Sequence, residues 1–346
     1  MTSIIQNSIN RNRMSSNTRW DRFKSNRMGS VSLILLIVFI FISSTAELWS
    51  NSKPVYLKYH EKNYFPFLFE YHPTEFGRDD IFVMDYQALK IEGKDFALWP
   101  LNQWDPYQSN ASLTTFPAPP SSINIFGTDD RGRDVFARIL YGFRYTLLYA
   151  LGVWVFSYLF GVIFGAIMGY WGGMVDLIGM RVVEVFESMP TLLLLLTMIS
   201  IFNPSIYLLV VFSVFFGWMN IATYVRAEFL TLRKREFVES ARILGAGKMR
   251  IIFIHILPNA LTPVITFSPF MIAGSILVLT NMDYLGLGLP PPTPSWGELL
   301  GQAQKYITIA EWLVWWPSLF LVLTLVLLIN IGLAIRDAFD SKSSLT

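Results

Sequence analysis

Chemistry needs nucleophiles, bases or metal ligands at fixed spacing, and this 346-residue chain offers few of them. It has no Cys, which excludes a disulfide, a thiolate metal site and a Cys nucleophile, and leaves the redox compartment unread. Its three His (60, 72 and 255) are too scattered for a metal centre; His60 and His72 sit among charged and aromatic loop residues and read as solvated. Gly245-Ala246-Gly247-Lys248 comes nearest to a phosphate-binding loop. It lacks both the G-x-x-x-x-G-K-[ST] spacing and the Ser/Thr after the Lys, so the chain is not expected to bind ATP. No nucleophile, base and orienting group fall together, and no enzyme activity is expected. Asn110-Ala111-Ser112 matches a glycosylation sequon, a pattern short enough to arise by chance. The one dense run of charge is the stretch 226–255, with seven Lys/Arg and three acids.

The elements that hold that stretch follow from composition. Apolar residues make up 53% of the chain and charged ones 15%, against about 25% in an average soluble domain. This excludes a disordered chain and a nucleic-acid binder built on charge, and points to a polytopic membrane protein. Uncharged stretches run over 28–46, 145–175, 188–225, 256–282 and 312–335. A helix of 38 residues, the length of the third, would be about 57 Å long, nearly twice a bilayer core. It must fold back, and Asn203-Pro204-Ser205 is the turn. The first half then borrows Val182 to Phe186 from upstream, which makes six spans and puts both termini on one side. Six Lys/Arg before residue 30, and the basic stretch 226–255, place that side in the cytoplasm. The first apolar run also fits a cleaved signal peptide by pattern, but its basic leader is long and five spans follow, so a retained helix is expected.

Residues 50–138 break the apolar pattern with seventeen aromatics and eight Pro. Val55-Tyr56-Leu57-Lys58-Tyr59 alternates like a strand, and a small β-rich or irregular extracytoplasmic insert is expected. It reads equally as a packed cap or as a docking surface for a soluble partner. In the basic loop, Phe237, Ala241 and Leu244 recur at helical spacing, with Glu239 and Arg242 on the other side. Gly245 and Gly247 end that helix, and Lys248–Ile256 leads back to the membrane at Leu257-Pro258. Such a helix is either a lever gripped from the cytoplasm or a plain surface link, and physics alone leaves both open. Gly161, Gly165, Gly169, Gly172 and Gly173 read as close helix packing rather than a gating hinge. Asp176, Arg181, Glu184 and Glu187 fall near the membrane boundary, where Arg181 and Glu184 can pair; a contact with a partner or a gate is the alternative.

Glu239-Ser240-Ala241, three residues, Gly245, then Leu257-Pro258 resembles the EAA signature of ABC importer permeases, with Ser240 in place of the middle Ala and His255 in place of the usual Ile. His255-Ile256-Leu257-Pro258-Asn259 resembles the peptide-importer subfamily. Two further runs resemble oligopeptide/dipeptide-type permeases: Phe126-Gly127-Thr128-Asp129-Asp130-Arg131-Gly132-Arg133-Asp134-Val135, and Tyr284 to Glu298 with Gly286, Gly288 and Pro290 to Pro294. The long insert resembles the permease of the microcin C-type peptide importer.

The resemblance implies an all-α polytopic fold of six transmembrane helices, the type I ABC importer permease fold, with an insert between helices 1 and 2. The expected segments are a cytoplasmic 1–28, helix 1 at 29–49, the insert 50–138, a five-helix core 139–336 with a coupling loop at 226–257, and a cytoplasmic tail 337–346. It implies a bacterial inner-membrane location and transport of peptides or peptide conjugates. The implied partners are a second homologous permease in a heterodimer, one or two ABC ATPase subunits, an extracytoplasmic peptide-binding protein, the peptide cargo and the lipid bilayer; nucleic acid is not among them. No cofactor is expected, ATP being bound by partner subunits. The coupling helix maps onto about Phe237–Ala246, with Glu239, Ser240, Ala241, Gly245, Leu257 and Pro258 as signature positions. Gly127, Thr128, Asp129, Gly132, Arg133, Asp134, Gly286 and Gly288 are motif positions of unknown role. No catalytic, metal-binding or substrate-contacting residue is named. A metal-chelate (nickel-type) permease is the runner-up within the family, and a proton-coupled transporter or channel the alternative outside it.

Overall fold

A computed structural model describes residues 19–89, 91 and 95–339. The expected cytoplasmic ends at 1–18 and 340–346 lie outside the described residues. In chain order the elements are α1 (Arg27–Ser44), α2 (Ala46–Trp49), β1 (Tyr56–Tyr59), β2 (Lys62–Tyr64), β3 (Phe96–Leu98), α3 (Val135–Trp171), α4 (Gly173–Glu187), α5 (Thr191–Ile201), α6 (Ile206–Leu232), α7 (Glu236–Ile243), α8 (Lys248–Thr266), α9 (Ser268–Tyr284), α10 (Trp296–Lys305) and α11 (Trp312–Phe339). Five helices (α1, α3, α6, α8, α11) are each long and apolar enough to cross a membrane. The bent pair α4 and α5 makes a sixth span if it counts as one.

A bend that the sequence reading did not foresee lies between α4 and α5. It measures 72° and falls at Pro190, which has no N–H to continue the ladder and pushes Met189 out of helical backbone. The expected turn at Asn203-Pro204-Ser205 is present: the Ser205 hydroxyl accepts from the Leu208 N–H at 3.2 Å and caps α6. α3 starts ten residues before the uncharged stretch at 145 that announced it. Its 37 residues make a helix of about 55 Å, far longer than a bilayer core, so it carries Arg138 and Arg144 in its first turns.

The chain divides into two compact units. The helical unit is Leu148–Leu279 with the chain before Ile37 and after Val322. Here α3 meets α6 along the glycines read as packing positions. A Cβ on Gly161, Gly165 or Gly169 would lie 2.5 Å from Ile221 Cβ, the Ala222 carbonyl oxygen or Phe229 Cβ respectively. Spacing of four on both helices keeps these contacts on one stripe. Gly172 and Gly173 correct that reading: they are not packing positions but the turn from α3 into α4. Tyr158 on α3 donates to the Val264 carbonyl of α8 at 2.8 Å.

The sheet-bearing unit is Ile37–Leu147 and Thr280–Val322. The expected strand is β1, central in an antiparallel sheet of order β2-β1-β3. Leu57 pairs with Tyr64 on one side and Ala97 on the other. Leu57, Tyr64, Phe76, Met84 and Tyr86 form its small core. Aromatic rings supply most of it, with Tyr64 and Phe76 centroids 4.9 Å apart.

Candidate functional site

The loop of the helical unit folds as its pattern requires. Arg235 precedes α7, and Glu236 and Glu239 occupy its first turn, where carboxylates favour the positive helix end. Arg242 sits in the last turn and pairs with Glu239 at 3.0 Å, both side chains more than half exposed. So exposed a pair adds little stability. Gly245 follows at φ +80°, a left-handed position that ends the helix and that a β-branched residue could hold only under strain. The Ala246 N–H returns to the Ala241 carbonyl at 3.0 Å.

The anchoring residues of α7 differ from those the spacing suggests. Val238 and Ala241 face inward, and Val238 joins a core with Phe229, Ile251, Ile252 and Ile256. Burying a side chain the size of Val238 or Ile251 is worth about 1.5–3 kcal/mol. Phe237 and Leu244 lie on the outer side, 42% and 86% exposed, with Ile243 and Met249 exposed beside them. The helix is therefore held by one face and offers a second apolar face to solvent. Glu239 and Ser240 are exposed, and Ala241 is at the seam. Leu257 and Pro258 begin the regular α-helical part of α8. The turn before them, Ile251–Ile256, is wound as a π-helix, and Pro258 has no N–H to give that turn an ordinary i−4 bond.

An ion pair and an arginine–carbonyl hydrogen bond stand next to the loop. Asp176 at the start of α4 receives Arg226 of α6 through two bonds, Nη2 to Oδ2 at 2.6 Å and a shorter one from Nε. Arg233 Nη1 donates to the Tyr170 carbonyl at 2.9 Å and closes the end of α3. Sequence reasoning placed Asp176 at the boundary but missed its partner Arg226. Arg226 being the first charge after α6's uncharged stretch was the available signal. The expected Arg181–Glu184 pair is present at 2.5 Å.

In the sheet-bearing unit the two motif runs meet in one buried cluster. Asp129 Oδ1 accepts from the N–H groups of Arg131 and Arg133, each at 2.9 Å, and Oδ2 accepts from Arg133 Nε at 2.7 Å. Arg133 reaches on to Glu298 at 3.1 Å, and Arg138 pairs with the other Glu298 oxygen and lies 3.4 Å from Asp129. Arg138 is wholly buried and also donates to the Pro106 carbonyl at 3.0 Å. Asp134 pairs with no cation among the described residues. It accepts instead from Asn102 Nδ2 at 2.8 Å, Asn124 Nδ2 at 2.9 Å and the Ala137 N–H at 2.8 Å, at the start of α3.

Turn geometry supports the cluster. The Thr128 hydroxyl accepts from the Ala118 N–H at 2.8 Å, and its carbonyl accepts from Trp312 Nε1 at 3.1 Å. Gly132, at φ +75°, lies against the Phe116 ring, which a Cβ would strike. Gly127 faces Trp312 in the same way. Gly288 lies against the Asp283 carboxylate, and Asp283 binds the Leu289 N–H at 2.6 Å and the Ser295 hydroxyl. Gly286 is exposed at the turn after α9.

Burial raises the pKa values of Asp130 and Asp134 above the usual carboxylate range. Burial also opposes the Arg133 charge, but Asp129 and Glu298 outweigh it and hold its pKa above the ordinary value. The motif residues Thr128, Asp129, Arg133 and Asp134 thus converge, and they have structural partners that sequence reasoning did not single out: Arg138, Glu298, Asn102 and Asn124. A charge at 138, six residues before Arg144 at the start of a largely apolar helix, was the signal for the first of these.

Comparison with known proteins adds the family. Residues 161–344 match the model of the binding-protein-dependent transport system inner membrane component. The chain is 41% identical over 331 residues to the inner membrane ABC transporter permease protein YejE of Escherichia coli, covering 94% of this chain and 97% of that one. It is 36% identical to the peptidoglycan transport system permease protein YejE of Agrobacterium fabrum, covering 94% and 93%. It is 32% identical to the oligopeptide transport system permease protein OppC of Bacillus subtilis, covering 68% and 77%.

Proposed function

Because the chain belongs to the family of binding-protein-dependent transport system inner membrane components, we propose that it is one permease half of an ATP-driven importer of peptides or peptide conjugates, of the oligopeptide or microcin C kind. It pairs with a second, homologous permease to form the translocation path. One or two ATPase subunits bind and hydrolyse ATP beneath it, and an extracytoplasmic binding protein delivers cargo. Both termini and α7 lie on the cytoplasmic side, and residues 50–138 lie outside. Glu239, Ser240, Ala241 and Gly245 shape the element that the ATPase grips, and Leu257 and Pro258 carry its movement into α8.

The observation that carries the coupling role is the double-sided α7. Val238 fixes it to α6 and α8 through one core, so a push on α7 is transmitted rather than absorbed. Phe237, Ile243 and Leu244 give a partner apolar surface to seat on, and aromatic and aliphatic anchors of this kind concentrate binding energy. The test is peptide uptake in cells whose only copy of the chain is Leu244→Glu. At 86% exposure Leu244 contributes little to folding, so insertion and abundance stay normal. Uptake and recovery of the ATPase with the tagged chain both fall. Normal uptake by this variant would remove the coupling role.

A further inference from the structure

A groove where residues 19–25 pack on α11 is used by nothing in the transport scheme. Residues 19–25 are helical, and Phe23 is 6% exposed because it packs on Ala334 and Ala338 of α11. Trp20 stacks on Phe23 with ring centroids 5.6 Å apart and stays half exposed. Between this segment, α1 and α11 lies a groove of about 360 Å³ whose wall includes Arg19, Trp20, Leu33, Ile331, Ile335 and Phe339.

We propose that this groove binds an anionic phospholipid, its phosphodiester on Arg19 and Lys24 and the top of one acyl chain on Leu33, Ile331 and Ile335. Charge is the first argument. Residues 19–27 hold Arg19, Arg22, Lys24 and Arg27 against Asp21 alone. The Arg19 guanidinium sits over the Phe339 ring at 4.7 Å, and Lys24 Nζ lies 5.2 Å from the Trp20 ring. Aromatic faces hold both cations in place without neutralising them. Among the described residues neither makes an ion pair, and Asp337, in the last turn of α11, is taken by Arg336 at 3.2 Å.

Depth is the second argument. Ile331 lies eight residues inside the last described residue of α11, or about 12 Å. A groove that starts at cations on the helix ends and runs about 12 Å along apolar side chains matches a headgroup and the first methylenes below it. A soluble anion would use the cations and leave the apolar wall bare. Trp20 at the mouth is placed as interfacial Trp residues are. Basic pockets between membrane helices recognise anionic headgroups by this combination.

The test uses the purified full-length chain, delipidated in dodecyl maltoside, with thermal unfolding followed as lipid is added. Dioleoylphosphatidylglycerol raises the melting temperature, and dioleoylphosphatidylcholine does so only at several-fold higher mole fraction. Arg19→Gln and Lys24→Gln each raise the half-saturating fraction of phosphatidylglycerol about fivefold, the effect of one surface cation. Ile335→Trp fills the groove with every cation kept and weakens the response as much. Equal responses of the parent and all three variants would overturn the proposal, as would equal stabilisation by the two lipids. A full shift with sn-glycerol 1-phosphate alone would also overturn it, because the site would then serve a soluble anion.

Discussion

Removing the Arg138 guanidinium tests the buried cluster where it is driest. Arg138→Met approximates the length of the side chain and leaves Glu298 paired with Arg133 alone among the described residues. Arg138 is fully buried and Glu298 about one-fifth exposed, so solvent screens the pair little. Breaking a buried ion pair from one side costs about 3–5 kcal/mol, most of it the desolvated charge left behind. If the sheet-bearing unit, roughly 150 residues, melts as one body, this lowers its melting temperature by about 6–20 °C. Glu298→Met falls in the same range, because it leaves the buried Arg138 with the more distant Asp129 carboxylate at 3.4 Å. The double variant Arg138→Met with Glu298→Met removes both charges and costs less than the two single changes added, by about 0.5–3 kcal/mol. The assay is thermal unfolding of the detergent-purified chain at one fixed scan rate, since unfolding of such a protein is not reversible. A melting temperature for Arg138→Met within 2 °C of the parent, or strict additivity in the double variant, would refute the reasoning.

Three further outcomes follow from the geometry. Gly165→Val drives a branched side chain into the Ala222 carbonyl and Val225, separates α3 from α6, and abolishes recovery of folded protein, read by gel filtration in detergent; a monodisperse product of normal yield would contradict the packing role. Gly245→Val lowers peptide uptake at least tenfold, whereas Gly245→Asn, which tolerates the left-handed backbone, retains most of it. Asp130 has its pKa raised by burial and by the neighbouring Asp129, so the folded chain binds its proton more tightly than the unfolded chain does. Its contribution is therefore fully favourable below the unfolded carboxylate range and is lost as pH rises through the folded pKa. Asp130→Asn accordingly raises the melting temperature at pH 7.5 and raises it less at pH 4; an equal shift at both values would contradict the assignment.

Charge and apolar run length made the spans legible, and alternation over residues 55–59 made β1 legible. The same signals failed in physical ways. Counting uncharged residues cut α3 short at 145, because Arg138 and Arg144 belong to the part of the helix beyond a bilayer's thickness. The break at Pro190 was hidden because its neighbours are uncharged and keep the apolar run intact. Spacing along α7 identified a helix and its buried Ala241 but chose Phe237 and Leu244 where the fold buries Val238, since the inward face is set by Ile251 and Ile252 across the loop. Motif residues such as Asp129 and Arg133 were visible as a run. Their partner Glu298 is 165 positions from Arg133, a pairing that only the tertiary fold creates.

The most direct test of coupling through α7 is site-specific cross-linking at its exposed face. The chain has no native Cys, so Leu244→Cys gives a single reactive thiol at a position 86% exposed. Native membranes carrying this variant are treated with a short photoactivatable thiol reagent, and the adduct is identified by mass spectrometry. The account predicts one dominant adduct with an ABC ATPase, its yield changing when ATP hydrolysis is blocked, and none from a control Cys at the exposed Leu101. An adduct with no ATPase, or none above the control, would contradict it.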